Sequence, residues 1–253
     1  MARDYRIRAV CYGTDGQVTA GNPTRKMMPC LRELEALLRA LPGVEVAAYT
    51  MDDLMKTMYW TAHNKLATGP TCGHISWKPY IVQRELMNVD NGDVVWYLDA
   101  DVRWHPEVDI LARFVDLAKE RGIALRSFGC TNAHFARREM FTLMGMDTPR
   151  YRESPHLTGA MMAFERSNRT LQFVQDWLVA SLSYHVIAKK LGQEHKEDEV
   201  FLAHRTQSVL SILAVHYGVE PYQIDGVFFS KGCSGDPPGY EKEKPWTYET
   251  GRR

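Results

Sequence analysis

Apolar positions alternate along the chain with two different periods. Arg6 to Tyr12 (RIRAVCY) reads as a first strand, and Gly13-Thr14-Asp15-Gly16 as the turn after it. Leu31, Leu34, Leu37, Leu38 and Leu41 then recur at helical spacing until Pro42-Gly43 stops the run. Val44 to Thr50 reads as a second strand, and Asp52 to Thr68 as a helix with a ragged end. Pro79 suits a first helical turn, so Trp77-Lys78 should sit at the entrance of a helix ending near Met87. Asn91-Gly92-Asp93 turns the chain into an uninterrupted apolar strand, Val94 to Leu98. Pro106 is expected to open a helix that carries Ile110, Leu111, Phe114, Leu117 and Ala118 on one face and stops at Gly122.

The second half continues the alternation. Strands are expected over Ile123 to Phe128 and Gly159 to Phe164, then a helix from Arg169 to Leu191 capped by Ser167. A polar loop (GQEHKEDE) leads to a helix over Gln207 to Tyr217 and a strand over Gln223 to Phe229. The tail from Lys231, rich in glycine, proline and charge, reads as loop or flap. Strands alternating with helices predict an α/β fold: a mixed, mostly parallel sheet with helices on both faces. Ligands of such sheets bind outside the carboxyl ends of the strands. No repeat or linker divides the chain, so a single domain is expected over residues 1–253.

Composition removes several function classes. With 253 residues, 45% of them hydrophobic, the chain is long enough for one sizeable core. Its 31 basic and 31 acidic residues cancel, so electrostatics gives no reason to expect nucleic acid as a partner. The basic pairs Arg137-Arg138 and Lys189-Lys190 read as solvated helix faces. Cysteines at 11, 30, 72, 130 and 233 form no C-x-x-C pair, which suggests free thiols in a reducing compartment. Neither a signal-peptide pattern nor a run of about 18 uncharged apolar residues is present. The expected location is therefore cytoplasmic, with a peripheral position at a membrane as the variant. Asn168-Arg169-Thr170 matches a glycosylation acceptor and is read as chance.

Candidate chemistry centres on VVWYLDADVRW, where an apolar strand runs into Asp99 and Asp101. Side chains two apart on extended chain point the same way, so the two carboxylates are expected to converge. Held close, they repel unless a proton or cation lies between them. Hard oxygen ligands of this kind suit Mg²⁺ or Mn²⁺. Three readings stay open on these residues alone: a metal site, a nucleophilic Asp99, or a polar strand end. Asp99-Ala100-Asp101-Val102 also looks like the first motif of haloacid-dehalogenase-type phosphohydrolases, although two candidate strands precede it here.

The flanking segments carry a further resemblance. GHISWKPYIVQREL (Gly73 to Leu86) followed by NGDVVWYLDAD resembles bacterial and viral glycosyltransferases of the GT-A fold. LTGAMMAFERS (Leu157 to Ser167) resembles their donor-sugar strand. FLAHRTQSVLSILAVHYGV (Phe201 to Val219) resembles a segment that usually reads H-R-x-D-Q-S, with Thr206 standing where relatives carry the Asp. The resemblance implies a Mn²⁺- or Mg²⁺-dependent transferase that moves a hexosyl or pentosyl group from a UDP- or GDP-sugar to a hydroxyl of a glycan. Residues 1–105 would form the nucleotide-binding half, 106–230 the acceptor and sugar half, and 231–253 a tail or flap.

It also implies roles for particular residues. Tyr12, Gly13 and Thr14 would hold base and ribose, with Tyr12 either stacked on the base or buried as a core aromatic. Lys78 would meet the diphosphate as a point charge beside free backbone N–H groups, and Trp77 would either contact the donor or lie in the core. Asp101 would bind the metal, and Asp99 the metal, the ribose or both. Gly159 would let the sugar approach closely, and Thr206 would touch the donor. His156 would contact the acceptor or close the metal shell. Gln207 sits where retaining family 8 enzymes place a glutamine beneath the anomeric carbon. An inverting enzyme needs a carboxylate base instead, from Glu197, Asp198 or Glu199. Lys231 and Lys244 are candidates for diphosphate contact from a flap. The alternatives are a Mg²⁺-dependent phosphohydrolase with Asp99 as nucleophile, and a non-catalytic sugar-nucleotide-binding module.

Overall fold

The computed structural model describes residues 3–14, 27–67, 76–183, 186, 205–223 and 226–229. Its centre is a sheet of β1 (Ile7–Tyr12), β2 (Val44–Tyr49), β3 (Val94–Asp99), β5 (Ile123–Thr131) and β6 (Pro155–Glu165), in the order β2-β1-β3-β6-β5. β1 pairs in parallel with β2 and β3, and β6 pairs antiparallel to both β3 and β5. Four of the five strands therefore run the same way, and β6 alone is reversed.

Strand β3 is buried on both sides. Val94 to Leu98 have no exposure, as a central strand covered by helices on both faces requires. Successive side chains go to opposite layers. Val95 and Tyr97 join Ile81 and Leu86 of α4 (Trp77–Met87), Phe173 and Trp177 of α9 (Asn168–Leu182), and Val209 and Leu210 of α10 (Arg205–His216). Val94, Trp96 and Leu98 pack with Leu31, Leu34 and Leu38 of α1 (Met28–Arg39) on the other face. Phe114 and Ala118 join this layer from a π-helical turn (Leu111–Val115) that continues into α5 (Asp116–Arg121).

This topology creates a crevice. The chain leaves β1 towards β2 on one side of the sheet, and leaves β3 towards β5 and β6 on the other. Adjacent strands whose connections depart in opposite directions leave a gap outside their carboxyl ends. Register places Tyr12 beside Asp99 at that gap.

Several expected elements are revised. The helix expected from Pro106 starts at Ile110, because the Asp109 side chain accepts the Ala112 N–H (3.0 Å) and sets the first turn. The Asp52–Thr68 helix is two, α2 (Met51–Met55) and α3 (Met58–Ala67); Thr50 and Asp53 close a capping box on the first, and the second bends at His63. Ser167 caps α9 as expected, but the helix ends at Leu182, where Ser183 turns extended. The last strand, β7 (Val227–Phe229), joins no central strand; it pairs antiparallel with β4 (Val102–Trp104) in a small second sheet. The short helices α6 (Asn132–Phe135), α7 (Arg138–Leu143) and α8 (Pro149–Arg152) span fewer than two turns and leave no readable period.

Cys11 and Cys130 are free, whereas Cys30 is disulfide-bonded. Such a bond is at odds with the free-thiol, reducing-compartment expectation. Among the described residues no helix is long and apolar enough to cross a membrane.

Candidate functional site

The carboxyl edge of β3 is built around Asp99. As the last strand residue it follows Val95 and Tyr97 onto the α4 face. The Lys78 ammonium lies 2.7 Å from Asp99 Oδ1. The Tyr97 hydroxyl donates to the same oxygen at 2.7 Å. Burial pushes the Tyr97 phenol well above its ordinary pKa, and the Asp99 charge adds to that, so Tyr97 remains a protonated donor. Both contacts fall on Oδ1, while Oδ2 has no hydrogen-bond partner among the described residues. The second oxygen of a fixed, half-buried carboxylate is thus left available.

The lysine is turned further inward than a phosphate-binding role requires. Its Nζ also donates to the Gly159 carbonyl at 2.9 Å and lies 5.1 Å from the Tyr97 ring centroid. Lys78 is buried, and its charge ties α4 to β3 and β6.

Asp101 does not continue the extended strand. Ala100 and Asp101 form a turn between β3 and β4, so alternation along a strand does not set the Asp101 direction. Arg103 holds this turn. Its guanidinium donates to the carbonyls of Ala100 (2.9 Å), Val102 (2.8 Å) and Cys30 (3.2 Å) and pairs with Glu33 at 3.1 Å. The segment carrying both carboxylates is thereby strapped to the first turn of α1. Among the described residues no group of three or more His, Cys, Asp or Glu is poised to hold a metal. Mg²⁺ commonly takes one or two carboxylates and fills its shell with water and substrate phosphates. Asp99 Oδ2 and the neighbouring Asp101 fit that pattern, and a cage made of protein alone does not.

The turn after β1 closes the crevice on the α1 side. Tyr12 is only 3% exposed, and its ring lies 3.9 Å from that of Trp77, also buried. One face of Tyr12 is therefore covered by Trp77, and the residue sits in the core as the second of its two readings expects. A Cβ on Gly13 would meet the Leu31 Cβ at 3.0 Å and the Met27 carbonyl at 3.1 Å. Glycine lets α1 press against the strand end here. Thr14 is half-buried at the rim.

On the far side of Asp99, β6 and α10 meet. A Cβ on Gly159 would lie 3.8 Å from the Gln207 side chain, including its Oε1. Gln207 is half-buried, and its Nε2 is 3.1 Å from His156 Nε2. His156 is fully buried, stacked on Phe135 at 4.8 Å, with Nδ1 3.2 Å from Asn132 Oδ1. Its Nε2 is in contact with Gln207, the half-buried residue of the pair. Thr206 is buried, and its backbone carbonyl accepts the Trp177 indole N–H at 2.8 Å, which ties the start of α10 to α9.

The structure thus gathers Lys78, Asp99, Gly159, Gln207 and His156 along one line of contacts. Glu197, Asp198, Glu199, Lys231 and Lys244 lie outside the described residues. Tyr97, Arg103 and Asn132 were absent from the sequence-based site. The only sequence signal for them is an arginine and a tyrosine inside the otherwise apolar run around Asp99.

No protein-family model matches the chain, and no curated protein matches it by sequence. Among solved structures it is similar to the apo form of mouse xyloside xylosyltransferase 1. The TM-score is 0.47 and the identity 11%, over 87% of this chain and 85% of that one.

Proposed function

We propose that this protein is a metal-dependent glycosyltransferase that moves a sugar from a UDP- or GDP-sugar to a hydroxyl of a glycan. The observation that carries the reading is Asp99 at the crevice between β1 and β3, with Oδ1 fixed by Lys78 and Tyr97 and Oδ2 left without a hydrogen-bond partner among the described residues, two positions before Asp101. Sequence resemblance across the W-K-P-Y and D-x-D segments points the same way.

In this reading Asp99 Oδ2 and Asp101 would hold Mn²⁺ or Mg²⁺ against the donor diphosphate. Such an ion, when bound, offsets the negative charge that builds as a diphosphate leaves. Lys78, Tyr97 and Arg103 keep the two carboxylates in place, so little reorganisation accompanies binding. The bare backbone at Gly159 admits the sugar ring next to Gln207. Gln207 serves a retaining route, and Asp198 or Glu199 would supply the base of an inverting one.

The test is turnover. Purified protein with Mn²⁺ should release UDP or GDP from at least one sugar nucleotide and should leave p-nitrophenyl phosphate intact. Phosphate-ester hydrolysis without sugar-nucleotide turnover would instead identify Asp99 as a phosphohydrolase nucleophile. Neither activity, with nucleotide binding retained, would leave a binding module.

A further inference from the structure

We propose that His156 is a positioning residue whose tautomer, set by Asn132, holds the Gln207 amide with its carbonyl oxygen over Gly159. The argument starts at a group with no ambiguity. The Tyr151 backbone carbonyl only accepts, and it lies 3.0 Å from Asn132 Nδ2. That contact fixes the amide nitrogen of Asn132 towards Tyr151 and turns Oδ1 towards His156. An amide oxygen also only accepts, so His156 Nδ1, 3.2 Å away, carries the proton.

A neutral imidazole with its proton on Nδ1 presents a bare Nε2. The atom 3.1 Å from that nitrogen belongs to the Gln207 amide. Only the amide N–H₂ can donate to it, so Gln207 Nε2 faces His156 and Oε1 faces away. Gln207 Oε1 then lies 3.8 Å from where a Gly159 Cβ would be, and has no hydrogen-bond donor among the described residues. The imidazole is itself stacked on Phe135 and fully buried.

The result is a carbonyl oxygen on a half-buried side chain, its direction set three groups away. It presents a lone pair to whatever lies over Gly159: a hydroxyl to be accepted, or a carbon gaining positive charge. The opposite tautomer would present N–H groups at the same point and favour anions. On the glycosyl-transfer reading, from which this consequence alone follows, the oxygen faces the sugar.

The experiment does not require activity. Long-range ¹H–¹⁵N spectra of ¹⁵N-histidine-labelled protein at neutral pH report which ring nitrogen carries each proton. The nine histidines are sorted by loss of one pattern in His156→Gln. If that variant does not fold, His156 is identified as the ring whose Nε2 resonance moves in Gln207→Met. The expected result is a protonated Nδ1 and a bare Nε2, with Gln207→Met shifting Nε2 and leaving Nδ1 protonated. A proton on Nε2, or an Nε2 indifferent to Gln207→Met in every ring, overturns the proposal. Sugar-nucleotide turnover is scored separately, so its absence contradicts the functional reading without touching the tautomer.

Discussion

The Lys78 ammonium and Asp99 Oδ1 stand 2.7 Å apart at the carboxyl end of the central strand. Lys78 is buried and Asp99 is partly open to water, so removing the lysine leaves a carboxylate that is only partly solvated. Breaking such a pair costs about 2 kcal/mol here, below the range for a fully buried one. At roughly 2–4 °C of Tm per kcal/mol for this chain length, Lys78→Met should melt about 4–8 °C lower. The double variant Lys78→Met/Asp99→Asn should recover most of that loss in a thermal melt. An unchanged Tm in the single variant would mean that the pair does not tie α4 to the sheet.

Gly159 separates packing from function. Its φ is not in the left-handed region, and an added Cβ would make only ordinary contact with Gln207. Gly159→Ala should therefore fold normally, with Tm unchanged or raised by about 2 °C. It should nonetheless abolish sugar-nucleotide turnover, because the methyl occupies the space assigned to the sugar. Full turnover in Gly159→Ala would move the sugar elsewhere.

Asp93 sets an acid limit on stability. Burial pushes its carboxyl up, but the backbone N–H groups of Arg6 (2.9 Å) and Asp90 (3.1 Å) and the Arg6 guanidinium (2.9 Å) outweigh that and leave it below its ordinary value. A carboxyl lowered on folding stabilises above its unfolded pKa of about 3.9 and loses that contribution as pH falls through the folded value. Asp93→Asn should be less stable than the parent at pH 7, with the gap closing below about pH 4 in denaturant titrations. A gap independent of pH would contradict the assignment.

The disulfide at Cys30 can be counted. Five cysteines less the two in one bond leave three thiols per chain. Thiol titration under denaturing, non-reducing conditions should find three, rising to five after reduction. Five before reduction would remove the bond.

Much of the layered fold was legible because burial writes a period into sequence. The run Val94 to Leu98 could only be a covered strand, and the leucines of α1 marked one helix face. The reversal of β6 was not legible, since an antiparallel and a parallel strand buried on both sides read alike. The site divided the same way. Asp99 and Lys78 were visible as residues, but the inward direction of Lys78 depends on Tyr97 and Asp99 of β3 meeting Gly159 of β6. His156 was visible as a residue, but the partners of its ring nitrogens, Asn132 and Gln207, lie 24 and 51 residues away, and no spacing rule joins them. Pro106 was a plausible helix start that lost to the Asp109 cap.

The central claim is that Asp99 and Asp101 bind a nucleoside diphosphate together with a divalent cation. The direct measurement is the thermal shift of the intact protein with UDP and with GDP, each with and without Mn²⁺, repeated on Asp101→Ala. A ligand at about 100 times its Kd stabilises by about 2.7 kcal/mol, or about 5–10 °C here. The account predicts a rise of that size for one nucleotide only when Mn²⁺ is present, and none in Asp101→Ala. A shift that is equal without metal, or that survives in Asp101→Ala, or the absence of a shift with either nucleotide, would contradict it.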